Sequence, residues 1–268
     1  MDITFSEVYQ PLFDLLEARE IVLSESFGVD YNKSEQKYWI DLSGVWLVLM
    51  SGGRDSGKTF GKSMFETVGA ADYGHRILST RFTMSSAGNS IVKALDERIE
   101  LLNYVSKFNY IKNEYTCVNG GGLISITGQK TSSGEQTAKL KSIEDYTIFS
   151  TDEGQEMPLK EEFTKVRRSI RGKGVQTFSI ISFNPPTRDH WFYPEWYAEV
   201  QEGFCGIKDG VLYIHSTYLD NGKENMTDAN WNEYEALRLD YELYLATPEK
   251  ERHLLHKKCE TNYKEYKY

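Results

Sequence analysis

Residues Gly52-Gly53-Arg54-Asp55-Ser56-Gly57-Lys58-Thr59 fit the pattern G-x-x-x-x-G-K-[ST]. Glycines let such a loop curl so that its backbone N–H groups and a following helix N-terminus face the β- and γ-phosphates of a nucleotide. Lys58 adds a mobile positive charge and Thr59 a hydroxyl for Mg²⁺. A phosphate loop alone serves kinases, GTPases and motors alike, and a second motif narrows the choice. The strand-like run Tyr146-Thr147-Ile148-Phe149-Ser150-Thr151 ends in two adjacent acids, Asp152-Glu153. An Asp at a strand tip reaches the water shell of Mg²⁺, and the next Glu can accept a proton from an attacking water. That pairing implies hydrolysis rather than transfer to a second substrate. A third run, Phe178 to Phe183, ends in Ser182-x-Asn184-Pro185-Pro186. Polar groups at the tip of a strand beside the acid pair are placed to bond the γ-phosphate or the attacking water, although Asn-Pro by itself is also an ordinary turn starter.

The elements that must position these groups follow from the apolar pattern. Val45 to Met50 is a continuous apolar run leading into the Gly-rich loop, and Thr59 to about Ala71 continues as a helix. Further strands are expected at Arg76 to Phe82, Leu123 to Thr127, Tyr146 to Ser150, Thr177 to Phe183 and Val211 to Tyr218. Helices are expected at Ser90 to Leu102, Lys160 to Ile170 and Asp228 to Leu245. Asn109 to Val118 followed by Gly120-Gly121-Gly122 reads as a hairpin and turn feeding the strand at Leu123. Val8, Leu12, Leu15 and Leu16 place an amphipathic helix between Met1 and about Ala18. Short apolar strands alternating with helices give an α/β fold, a mostly parallel central sheet covered on both faces.

Composition limits the class. The chain has 268 residues, 40% hydrophobic and 26% charged, with 18 Tyr, 13 Phe and 5 Trp for a core, which excludes a disordered or fibrous protein. No apolar run nears the roughly 20 residues that cross a bilayer, so no membrane association is expected. Cys117, Cys205 and Cys259 are scattered and form no metal-binding cluster. The net charge of −9 argues against a surface built throughout to hold nucleic acid, so any such contact must be local. One local patch exists: Lys165, Arg167, Arg168, Arg171 and Lys173. It fits a solvated helix face, an arginine finger acting on a neighbouring subunit, or a phosphate-backbone contact. Phe27, Tyr31, Tyr38 and Trp39, with Gln36 beside them, are candidates to stack on and read an adenine, or equally to pack in a core.

The ordered set Gly-Gly-Arg-x-Ser-Gly-Lys-Thr, Lys139-Leu140-Lys141-Ser142-Ile143, Asp152-Glu153, Arg168-x-x-Arg171-Gly172, Ser182-Phe183-Asn184-Pro185-Pro186, His190-Trp191 and Thr217-Tyr218-Leu219-Asp220-Asn221 resembles the large terminase subunit of tailed bacteriophages. The resemblance covers about residues 44 to 221. It implies a P-loop NTPase of ASCE type that hydrolyses ATP with Mg²⁺ to drive double-stranded DNA, without sequence preference, into an empty capsid. The same resemblance implies a homo-oligomeric ring on the procapsid in the host cytoplasm, with the portal protein and the small terminase subunit as partners. In the resemblance Gly52, Gly53, Asp55, Ser56, Gly57, Lys58 and Thr59 bind phosphate, Thr59 and Asp152 hold the metal, and Glu153 is the catalytic carboxylate. Ser182 and Asn184 form the coupling motif, and Arg54 senses or stabilises the γ-phosphate.

Arg171, with Arg168, is the candidate for an arginine supplied in trans. The acid pair departs from many relatives, which read Glu-Glu-Ala where this chain has Asp152-Glu153-Gly154. Residues 1–221 are expected to form the ATPase domain with its N-terminal helical segment. The 47 residues after Asn221, too few for the family's nuclease, are expected to form a helical linker or lid, residues 222–268, leading to a nuclease absent from the chain. Two other readings remain: a different ASCE translocase or helicase-like ATPase, and a nucleotide-dependent assembly module with little turnover alone.

Overall fold

The computed structural model describes residues 6–17, 28–33, 36–131, 134–135, 145–172, 175–201, 203–248 and 251. Phe27, Lys139 to Ile143, Lys173 and Cys259 lie outside them, as do the side chains of Tyr31, Gln36, Tyr38 and Trp39.

Among the described residues nine strands lie side by side in one sheet. They are β3 (Leu47–Gly52), β4 (Arg76–Thr83), β5 (Phe108–Ile111), β6 (Glu114–Cys117), β7 (Leu123–Thr131), β9 (Ile148–Thr151), β10 (Phe178–Phe183), β11 (Gly206–Lys208) and β12 (Val211–Ser216). Their spatial order is β11-β12-β3-β10-β9-β4-β7-β6-β5, and the short β8 (Gly134–Glu135) pairs with β7 off that path. The six central strands, β12 to β7 in this order, are all parallel, with antiparallel additions at both margins. A separate antiparallel hairpin, β1 (Gly28–Lys33) with β2 (Gln36–Asp41), spans the stretch that holds Tyr31, Gln36, Tyr38 and Trp39, where the sequence pattern predicts no strand.

Alternation along β3 explains why the strand reads as an unbroken apolar run. Val48 and Met50 face one core with Leu12, Phe65 and Leu95, while Leu47 and Leu49 face another with Phe163, Val166 and Trp196. The first core lies under α1 (Gln10–Glu17), α2 (Lys58–Ala71) and α3 (Met84–Leu101). The second lies under α4 (Lys160–Arg167) and the π-helical turn Tyr193–Tyr197. The expected doubly covered, mostly parallel sheet is therefore the fold observed.

Several boundaries shift for local reasons. The N-terminal helix is a 3-10 turn, Glu7–Tyr9, capped by Ser6, followed by α1 with Pro11 in its first turn, where a missing N–H costs nothing. Helix α3 starts at Met84, and α4 stops at Arg167 rather than Ile170. Tyr218 leaves the strand expected for it: Thr217 and Asp220 form a capping box that starts α5 (Tyr218–Asn221). The last helix, α6, runs Asp228–Ala246, capped by Thr227.

Candidate active site

Strand β3 delivers the loop, and α2 receives it at Lys58 after a left-handed turn at Gly57, φ 82°. The Lys58 ammonium donates to the carbonyls of Gly52 (2.6 Å) and Gly53 (2.7 Å), to Ser56 Oγ (3.1 Å) and to Asn184 Oδ1 (3.2 Å). Burial pulls its pKa down to about 8, against the opposing pull of Glu153, Asp152 and Asp55. Ser56 is buried, whereas Arg54, Asp55 and Thr59 are exposed at the mouth.

Sheet order decides what faces this loop. Strand β10 lies between β3 and β9, with Ser182 beside Met50 and Ile181 beside Thr151. The polar tip of β10 therefore stands between the phosphate loop and the acid pair, at the carboxyl ends of parallel strands where open α/β sheets bind ligands. Ser182 Oγ donates to Asp152 Oδ1 at 2.6 Å, and the Asp152 N–H donates to the Thr80 carbonyl at 2.8 Å. Asn184 bridges the two motifs: its carbonyl accepts from Lys58, and its amide donates to Glu153 Oε2 at 3.3 Å.

Glu153 sits in left-handed backbone, φ 51° and ψ 51°, a conformation that costs a non-glycine residue about 1 kcal/mol or more. Packing explains why residue 154 is glycine rather than alanine, since a Cβ there would stand 2.2 Å from Ile181 Cγ2. The strained carboxylate is braced. Gln155 donates to Glu153 Oε2 while accepting the Asn184 N–H at 3.1 Å, and Arg81 at the end of β4 lies 3.8 Å from Glu153 Oε1 and 3.3 Å from Glu156. Behind them Gln129 donates to Thr80 and Thr151, fixing the residue before Asp152.

Gly53, Arg54, Asp55, Ser56, Gly57, Lys58, Thr59, Asp152, Glu153, Ser182 and Asn184 line one cleft of about 2030 Å³, with Gly52 at its root. Arg168 and Arg171 do not line it. They sit in the turn between α4 and β10, where Arg171 Nε donates to the Arg168 carbonyl and the Gly172 N–H to the carbonyl of Tyr146, just ahead of β9. That is the opposite edge of the sheet. Arg81, Gln155 and Tyr9 join the cleft without any motif to announce them. Asn230 and Tyr234 join it in the same way, beside Asn221 from the motif at residues 217–221, and Asp55 accepts from Asn230 at 2.9 Å and Tyr234 at 3.1 Å.

The model of the family described as phage terminase large subunit matches residues 47–247. No curated protein sequence matches the chain significantly. Among solved structures, the large terminase of a thermophilic bacteriophage superposes with a TM-score of 0.59 at 17% identity, covering 88% of this chain and 50% of that one. The same phage protein is also known in complexes with ADP and with ATP-gamma-S. The N-terminal domain of the bacteriophage phi29 DNA packaging ATPase gives 0.51 at 10% identity, over 64% of this chain and 90% of that one. The ATPase domain of the Thermus phage P74-26 large terminase, as an arginine-to-alanine mutant, gives 0.50 at 16%, over 77% and 86%. At these identities the likeness establishes the fold, the ASCE-type P-loop α/β arrangement, and this chain spans about half the length of the thermophilic phage terminase. With residues 47–247 matched, well over half its length, the chain belongs to the phage terminase large subunit family.

Proposed function

We propose that this chain is a Mg²⁺-dependent ATPase, the motor domain that powers translocation of viral double-stranded DNA into the procapsid. The observation that carries the reading is the Lys58–Asn184–Glu153 bridge, which ties the phosphate loop, the coupling strand and the acid pair into one hydrogen-bonded unit. In the proposed site the N-terminus of α2 and Lys58 take the β- and γ-phosphates, Lys58 trading its loop carbonyls for phosphate oxygens. Arg54 reaches the γ-phosphate from the mouth. Glu153 accepts the proton of the attacking water, and Asn184, bonded to both Lys58 and Glu153, registers loss of the γ-phosphate. Ser6, Phe60, Asn221 and Tyr234 line the same cleft and are candidates to hold the base and sugar.

Thr59 and Asp152 suit Mg²⁺: a hydroxyl and a carboxylate in one cleft are the few hard oxygen ligands this ion takes while keeping waters and substrate phosphates. The ion would supply charge neutralisation at the β- and γ-phosphates.

On this reading residues 1–221 are the ATPase domain and 222–268 a helical linker or lid, and no nuclease chemistry is assigned to the chain. The motor works as a homo-oligomeric ring on the procapsid, in the host cytoplasm, with portal protein, small terminase subunit and DNA backbone as partners. Arg171, which does not line its own cleft, is the candidate to act on a neighbour's, or on the DNA backbone. A second reading, an assembly module with little turnover alone, draws on Glu153 being engaged by Asn184, Gln155 and Arg81 at once.

The test is ATP hydrolysis with and without portal, prohead and DNA, using Lys58→Ala as the binding-dead control. Turnover that is slow alone and rises on the assembled motor supports the motor reading, whereas turnover indifferent to Lys58→Ala overturns it. Mixing Glu153→Gln with Arg171→Ala subunits should restore activity if Arg171 acts in trans, and two partners that stay inactive at ring-forming concentrations remove it from the site.

A further inference from the structure

Tyr9 belongs to no motif, yet it is only 2% exposed and forms part of the cleft wall. Its hydroxyl donates to the Ser56 carbonyl at 2.8 Å and lies 2.8 Å from the Ser216 hydroxyl. Its ring covers α2 at Gly61, where a Cβ would stand 3.1 Å from ring carbon. Burial pushes the phenol far above its ordinary pKa, so it is a neutral donor at any working pH. Both oxygens it meets matter to the cleft. Ser56 belongs to the phosphate loop, and Ser216 ends β12 just before the capping box that opens α5 and the path to α6.

The Ser56–Gly57 peptide is trans, so its carbonyl and the Gly57 N–H point in opposite directions. A hydroxyl that fixes the Ser56 carbonyl therefore also fixes the direction of the Gly57 N–H, opposite to it. We propose that Tyr9 is a positioning residue for phosphate binding: it aims the Gly57 N–H and locks the loop to the root of the region carrying α5 and α6. The N-terminal segment is thereby a working part of the site, held on α2 by Phe13 against Phe65 and by Leu16 over Gly69. The proposal rests on reading the cleft as a nucleotide site, and its test is arranged to separate the two.

Tyr9→Phe keeps the ring and removes only the hydroxyl. In the nucleotide-free protein, hydrogen exchange at amides 53–58 should rise about 3- to 10-fold, the factor one hydrogen bond is worth. Ser216→Ala should give part of that rise, and the double variant no more than Tyr9→Phe alone. Affinity for ADP with Mg²⁺ should fall by a similar factor. Unchanged exchange at 53–58 overturns the proposal whether or not the protein binds ADP. A rise spread evenly over the chain marks Tyr9 as ordinary core and overturns it as well. Raised exchange confined to the loop, in a protein that binds no ADP even when wild type, supports the Tyr9 lock and overturns the nucleotide reading instead.

Discussion

The carboxyl edge of the sheet and helix α6 both border the cleft but are built in opposite ways. At the sheet edge polar side chains are buried and bonded to one another: Thr80, Gln129, Thr151, Asp152 and Ser182 are all under 10% exposed. Helix α6 has no buried residue, and its Leu239, Leu243 and Leu245 are each more than half exposed. It is held by Tyr218, whose hydroxyl bonds Glu235 and whose ring packs on Trp231 and Tyr234, and by the two bonds to Asp55. A buried polar network bonded within itself favours one arrangement, because a displaced group loses its partner without gaining water. A helix held by a few exposed bonds exchanges them for water at little cost, so it is the part of the cleft suited to open and close. On the proposed reading, chemistry belongs to the sheet edge and access to α6.

The sharpest way to break that division is at Glu153. Glu153→Gln should leave nucleotide binding intact and lower turnover on the order of 10²- to 10⁴-fold, as loss of a general base does. Near-normal turnover in a single-turnover assay would take the chemistry away from the sheet edge. Asn184→Leu removes two hydrogen bonds to charged partners and should cost about 10- to 100-fold in turnover, with a smaller change in nucleotide affinity. Equal losses in both would mean that Asn184 only shapes the loop.

The pH dependence follows from Lys58. Its folded pKa is lowered to about 8, so the free site loses the ammonium as pH rises through that value, while bound phosphate restores it. Nucleotide affinity should be greatest below pH 8 and fall by up to about 10-fold per pH unit above it, measured by titration calorimetry. A profile flat from pH 7 to 9 would exclude Lys58 as the titrating contact. The smallest effect belongs to α6: Tyr234→Phe removes one exposed bond to Asp55 and should change nucleotide affinity at most about 3-fold, with its trace in release rates. A 100-fold loss would place α6 with the chemistry after all.

Much of the chemistry was legible because it is local in the chain. A phosphate loop needs its glycines, Lys58 and Thr59 within eight positions, and an acid pair needs only a strand to end at Asp152. The apolar runs of β3, β9 and β10 mark parallel strands buried on both sides, and the sheet bears them out. The β1–β2 hairpin escaped, since Gly28 to Lys33 reads GVDYNK without clear alternation. Tyr9, Arg81 and Gln155 escaped for another reason: each is an unremarkable residue until folding puts it beside a partner far away, as Tyr9 is beside Ser56 and Ser216.

The sequence by itself determined which groups are available and that each candidate set sits at a strand end. Strand order it left open. Inserting β10 between β3 and β9 is what sets Asn184 between Lys58 and Glu153, and the same parallel crossover carries Arg171 to the far edge. Order in a sheet is fixed by how the whole set of apolar faces is covered by helices, a sum over long-range contacts that no local stretch encodes.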